Sequence, residues 1–295
     1  MDSEKIISLP RHHKKTFIFL LILAYLILLL IAHYTFGQEF TDVIFDQVKS
    51  IAAALITALF GLLVIIPFIP TKEKGEIIEI PAQKITKEFE ELLASATRWR
   101  YQGNFGRYLR GKVLPTLASR PNVHITACLI DPSDKTLCEK HAEYRSSINA
   151  IDKGRRYNAA SVSLEVVVTI VMAAWYVRNR GMEIDIYLSR KFDPIRIDGN
   201  DDAMILTVED RRSPALKITQ KHFTASHFNL QMQTARTQAR KIELKGMRGD
   251  IQLAEIQPQD VISVLESSGL QGIFEAVSPS EIATACITST NPYEN

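Results

Sequence analysis

Two uninterrupted apolar runs dominate the first quarter of the chain. Residues 16–36 read TFIFLLILAYLILLLIAHYTF and residues 51–70 read IAAALITALFGLLVIIPFIP, with no Lys, Arg, Asp or Glu in either. At about 1.5 Å per residue, about 20 such residues cross a hydrocarbon core about 30 Å thick. The pattern therefore predicts transmembrane helices over 16–36 and 48–70, joined by a short outer loop at 37–47. A signal peptide fits the first run poorly, because the run is longer than an h-region and no small-residue cleavage site precedes the second run. Pro67 and Pro70 end the second helix, since neither can donate the next backbone hydrogen bond.

Beyond residue 70 the pattern alternates. Residues 71–96 form a connector, charged over 71–86 and helical over 87–96. Residues 98–102 read as a short strand or the lead-in to a loop. Residues 105–119 read as an amphipathic helix with Leu109, Val113 and Leu117 on one face. Residues 123–130 are an apolar run closed by Asp131-Pro132, which predicts a buried strand. A polar helix follows over 135–149, then a strongly apolar one over 164–179. The apolar stretch LEVVVTIVMAAWYV is 14 residues long, is interrupted by Glu165 and is closed by Asn179-Arg180-Gly181, so it reads as a buried core helix and not a third span. Strands are expected at 184–188 and 203–208, joined by a polar turn at Asp198-Gly199-Asn200. Residues 215–219 add a further strand candidate, and 228–245 a helix rich in Gln, Thr and Arg. The expected architecture is an N-terminal two-helix transmembrane hairpin followed by a cytoplasmic α/β domain with a mixed sheet, the domain covering residues 97–249.

Charge adds orientation. Lys5, Arg11, Lys14 and Lys15 lie in the flank at 1–15, and Lys72, Lys74 and Lys84 follow the second run, whereas the loop carries Glu39, Asp42 and Asp46. The positive-inside rule then places both termini in the cytoplasm of a multi-pass protein of the bacterial inner membrane. The absence of charge inside the runs argues against ion-coupled transport. Ala53, Thr57 and Gly61 recur at four-residue spacing. Such a small-residue stripe packs helices closely, either within the hairpin or between copies of the chain. Residues 71–249 hold 30 basic and 21 acidic side chains, while 250–295 hold seven acidic and no basic ones. This acidic C-terminal segment, with Val261, Leu265, Leu270 and Phe274, is expected to cover the basic body, to bind a separate protein, or to be a solvated tail.

The chemistry is sparse. Three scattered cysteines suit neither a disulfide framework nor a metal site, and no metal or cofactor is expected. Neither a nucleotide-hydrolysis loop nor a nucleophile elbow occurs. His124, His141, His222 and His227 read as structural or surface residues, and the five-residue spacing of the last two does not put both on one helical face. One stretch suits anions: residues 98–112, RWRYQGNFGRYLRGK, contain five basic residues and no acid. Gly103 and Gly106 lie at a helix start, where free N–H groups favour phosphate, and Arg98, Arg100, Arg107, Arg110 and Lys112 supply charge. The competing reading is an ordinary strand-to-helix turn with a solvated basic face. The clusters Arg211-Arg212 and Arg236-Arg240-Lys241 are weaker.

The element order, with a strand ending in Ile130-Asp131-Pro132 and a later segment Lys221-His222-Phe223-Thr224-Ala225-Ser226, resembles the phospholipase-D-like fold over residues 97–240. Enzymes of that superfamily pair a His with a Lys two residues on, and later an Asp. Here Thr224 follows His222 and Thr126 follows His124, so the resemblance implies a non-catalytic member used for sensing. As a whole the chain resembles the two-transmembrane effectors of bacterial anti-phage defence, the retron type above all. That resemblance implies a toxic effector of abortive infection, not an enzyme. A reverse transcriptase with its RNA–DNA product would hold it inactive, and as a homo-oligomer it would act on the lipid bilayer. Two other readings stay open. One is a membrane-bound phosphodiester or lipid hydrolase using His222 or His227. The other is a membrane-tethered nucleotide or nucleic-acid sensor that recruits other proteins.

Overall fold

The computed structural model describes residues 45–61, 75–148, 156–210 and 212–288, with seven single positions between 23 and 43. The chain divides into two compact units, Met1–Lys72 and Glu73–Asn295.

In the first unit residues 45–61 are helical. Phe45, Val48, Ile51, Leu55, Ile56, Leu59 and Phe60 are all exposed on it. At about 100° per residue these bulky groups fall on one half of the helix, and Ala53, Ala54, Thr57, Ala58 and Gly61 on the other. The Thr57 hydroxyl donates to the Ala53 carbonyl at 2.8 Å, which satisfies it within its own helix.

The expected transmembrane hairpin is overturned, and with it the multi-pass topology. Among the described residues one helix is long and apolar enough to cross a membrane, and it is Ala159–Arg180, in the middle of the chain. Asp46, Gln47, Lys49 and Ser50 occupy the opening turns of the helical residues 45–61. Leu23, Ile27, Leu30, Ile31 and Tyr34 are helical positions. The rest of the first expected span, and residues 62–70, lie outside the described residues.

The second unit is built on an eight-stranded mixed sheet in the order β1-β7-β6-β5-β2-β3-β4-β8. The strands are β1 (Ile77–Ile80), β2 (Arg98–Gln102), β3 (His124–Ile130), β4 (Glu183–Ser189), β5 (Ile195–Gly199), β6 (Ala203–Val208), β7 (Ala215–Thr219) and β8 (Arg240–Ile242). Strands β2, β3 and β4 run parallel. Every other pairing is antiparallel. The helices are α1 (Ile85–Ser95), α2 (residues 107–117, with a π turn at Leu109–Val113), α3 (Lys135–Ser147), α4 (Ala159–Arg180), α5 (Phe223–Gln238), α6 (Pro258–Ser267) and α7 (Pro279–Thr288).

Helix α4 explains the apolar run in the middle of the sequence. Asn158 and Ser161 form a reciprocal capping box at its start, and Gly181, at φ 65°, ends it in the left-handed conformation that glycine adopts without strain. Val162, Val166, Val167, Ile170, Val171, Ala173 and Ala174 are fully buried. This helix is apolar all round because protein surrounds it, not lipid.

The acidic C-terminal segment supplies part of that surround. Helices α6 and α7 pack on α4. Val261, Val264, Leu265 and Ile282 are fully buried there, each worth about 1.5–3 kcal/mol relative to exposure. Arg248 grips Asp260 at 2.5 Å, and the Trp175 indole donates to the Ile251 carbonyl at 3.0 Å. Of the three readings of this segment, cover is the one observed, and apolar contact rather than charge does most of the covering.

The opposite face of the sheet carries α5, where Ile197, Met204, Leu206 and Ile218 meet Ala225 and Met232. His222 caps α5 through its ring, so the helix starts at Phe223 and not near 228. The expected turn at Asp198-Gly199 is instead the end of β5, with the Asp198 side chain fully buried.

Candidate functional site

The parallel strands end at Gln102, Ile130 and Ser189, the side of an α/β sheet where loops converge. The loop after β2 places Asn104 and Phe105 there, and the start of α2 adds Arg107. Asn104 Nδ2 donates to the Asp193 carbonyl at 3.0 Å and to Glu209 Oε1 at 2.8 Å. Glu209 also meets the fully buried His141, whose Nε2 is 3.3 Å away, and Arg145 at 2.5 Å. Burial alone would push the Glu209 carboxyl up, but the bond and charge of His141, with Arg145 and Asn104, hold it at about 2.

A second knot adjoins the first. Arg107 reaches Glu165 at 2.6 Å and Arg110 reaches it at 2.5 Å, while Arg110 also donates to the Thr169 hydroxyl at 2.8 Å. Burial opposes ionisation of Glu165, and the two guanidinium groups outweigh it and hold the carboxyl at about 2. The Phe105 ring lies between the two knots, with the guanidinium carbons of Arg107 and Arg145 at 5.1 and 4.9 Å from its centroid. Tyr157 stacks on the same ring at 5.8 Å and accepts a hydrogen bond from Arg107.

The residues expected to bind an anion are thus dispersed among acidic partners. Arg100 bonds the Asn200 carbonyl at 2.6 Å and Asp201 at 3.0 Å. Arg98 faces Asp201 at 3.9 Å, and Lys112 pairs with Glu90 at 3.0 Å. The N–H of Gly103 bonds the Cys128 carbonyl at 3.1 Å, and that of Gly106 bonds the Tyr101 hydroxyl at 3.0 Å. The structure gathers Gly106, Arg107 and Arg110 with Glu165, and sends Arg98, Arg100 and Lys112 elsewhere. Asn104, His141, Glu165, Asp193 and Glu209 were not read as a group in the sequence. Glu165 alone carried a signal, as a carboxylate inside an apolar helix that must find a partner.

A different site lies on the other face of the sheet. Arg100, Gln102, Thr126, Cys128, Met232 and Arg236 line a crevice between α5 and strands β2 and β3 that is too narrow for a water molecule. Gln102 is 2 % exposed. Its Nε2 donates to Asp193 Oδ2 at 2.7 Å, which fixes the amide orientation, and its Oε1 has no hydrogen-bond partner. An unmatched buried acceptor costs about 1–3 kcal/mol. Arg236 has no ion pair among the described residues. Burial pushes the Cys128 thiol up to about 12, with Asp193 adding to the rise and Arg236 opposing it.

A wider, open cavity of about 620 Å³ separates α3 from the start of α4, lined by Lys135, Glu139, Glu143, Tyr157 and Asn158 among others. Of the two histidines weighed as nucleophiles, His222 uses Nδ1 to accept from the Thr224 N–H at 3.2 Å, and His227 is exposed. Among the described residues no group of three His, Cys, Asp or Glu side chains is placed to hold a metal ion.

The second unit is thus an α/β fold with a mixed sheet. No protein-family model matches the chain. No curated protein matches it either. Among solved structures, the chain is similar to TrmBL2, an archaeal chromatin protein described as showing a novel mode of DNA binding. The two are 14% identical, the match covers 70% of this chain and 69% of that one, and the TM-score is 0.32. A likeness at that score carries no argument about fold or function.

Proposed function

We propose that this protein is a membrane-associated effector whose α/β unit receives a signal and whose N-terminal unit acts on the bilayer. The observation that supports this reading is the helix of residues 45–61, which leaves Ile51, Leu55, Ile56, Leu59 and Phe60 bare. A water-facing helix of that composition is costly, and lipid is the surrounding that removes the cost. In this reading helices from several copies associate through Ala53, Thr57 and Gly61. A Cβ at Gly61 would meet no atom within 4 Å, so that half of the helix has room for a neighbour. The setting is abortive infection against phage at the bacterial inner membrane, with a reverse transcriptase and its RNA–DNA product as the inhibitory partner. The resemblance of the sequence to retron-type effectors suggests that setting.

The test is induced expression in bacteria with a membrane-potential dye. Depolarisation and growth arrest should follow induction and be lost in Gly61→Leu and in Leu55→Gln/Leu59→Gln. Full-length protein that stays in the supernatant after high-speed centrifugation without detergent would sink the proposal.

A further inference from the structure

We propose that α5 is a displaceable cover over a binding site for a small oxyanion with an adjacent hydrogen-bond donor, as a nucleoside monophosphate or free phosphate presents. The inference deepens the signal-receiving part of the function proposed above and rests on it.

The chemistry of the crevice selects the ligand. Arg236 brings a guanidinium with no acidic partner among the described residues, and a guanidinium fork suits phosphate. Asp193, the nearby carboxylate, is already engaged by Lys191 at 2.9 Å and by Gln102. Gln102 stands in the wall of the crevice and its Oε1 has no hydrogen-bond partner, so the complementary group must donate. The hydroxyl of Thr126, in the same wall, can serve either role.

The helix that closes the crevice is lightly seated. Ala225 and Met232 are its buried side chains, whereas Phe223 is 72 % and Leu230 59 % exposed. Since the closed crevice is too narrow for water, a ligand enters only when α5 lifts. The start of α5 is also where such a movement leaves the site. His222, its N-cap, lies against Gly75 so closely that a Cβ on Gly75 would sit 1.9 Å from the His222 nitrogen. Gly75 lies just inside the boundary of the second unit, at the point where the chain comes in from the first. Occupancy under α5 is therefore relayed to Gly75 through a backbone contact.

The test uses full-length protein in detergent and follows alkylation of Cys128, which is 3 % exposed, by iodoacetamide with peptide-resolved mass spectrometry. The probes are AMP and inorganic phosphate. Cys138 and Cys286, buried elsewhere, report global unfolding. At a ligand concentration ten times Kd, Cys128 labelling should slow about tenfold while the other two are unchanged. Protection by AMP alone assigns a nucleotide, and equal protection by phosphate assigns the free anion. Arg236→Gln should abolish protection, and Gln102→Met should weaken it. The site is overturned if neither probe protects Cys128, or if Arg236→Gln is protected like the parent chain. If AMP raises Tm without protecting Cys128, signal reception stands and this site falls. If Cys128 is protected but the protein needs no detergent, the site stands and the membrane reading falls.

Discussion

Glu165 accepts hydrogen bonds from Arg107 at 2.6 Å and 3.0 Å, a two-point contact that joins the start of α2 to the second turn of the buried helix α4. Arg110 completes the knot from the π turn of α2. Taking either sign of charge away strands the other in a buried setting. Glu165→Ala should therefore destabilise the protein by about 3–5 kcal/mol, read as a lowered midpoint in thermal melts of the full chain. A loss below about 1 kcal/mol, the range of exposed pairs, would show that the knot is solvated.

The same carboxylates set an acid limit. Glu165 and Glu209 are each held at about 2, against 4.5 for a free glutamate. Because the folded values are depressed, the stabilisation is fully present above pH 4.5 and is lost as pH falls toward 2. Each group contributes about 3 kcal/mol by linkage. Melting temperature should be level in this respect from neutral pH to about 5 and then fall steeply. Glu209→Gln should flatten the acid limb.

Gly106 has φ +73°, and a Cβ there would lie 2.7 Å from the Thr169 methyl carbon. Gly106→Ala combines a disfavoured backbone with a clash at the base of the knot, and it should cost about 1–3 kcal/mol. Circular dichroism and thermal melts check it, with Gly272→Ala, where nothing lies within 4 Å, as the control.

Removing residues 250–295 uncovers α4. In detergent the truncated chain should aggregate, while Arg248→Ala, which frees the buried Asp260 but leaves the apolar contact, should stay dispersed and melt earlier. A truncated chain that stays as dispersed in detergent as the full one would contradict the role assigned to α6 and α7.

Where patterning was local, the sequence showed the structure. The strand closed by Asp131-Pro132 and the strand at Ala203–Val208 need only their own residues to be seen, and both are present. The apolar run around LEVVVTIVMAAWYV is a core helix, as its closing Gly181 and its interrupting Glu165 suggested. β5 was hidden because Asp198-Gly199-Asn200 carries turn chemistry, yet Asp198 is buried inside the sheet with Arg196 2.5 Å away. β1 and β8 are four and three residues long, too short for any periodicity. The knots escaped for another reason. Arg98 to Lys112 marks one half of them, but Glu165 and Glu209 lie far along the chain, and pairing at that separation leaves no pattern in sequence. At the N-terminus composition misled, since two apolar runs predicted a hairpin and the one span-length helix among the described residues is inside the α/β unit.

The order in which α4 and its covers leave the ribosome has a consequence for biogenesis. α4 ends at Arg180 and α7 at Thr288, so 108 residues of translation separate them. At about 5–20 residues per second, the bare rod waits roughly 5–20 s for its last cover. During that window a helix long and apolar enough to cross a membrane is exposed in the nascent chain. Holdase chaperones that shield it until synthesis ends would decide whether the nascent chain matures or is misrouted.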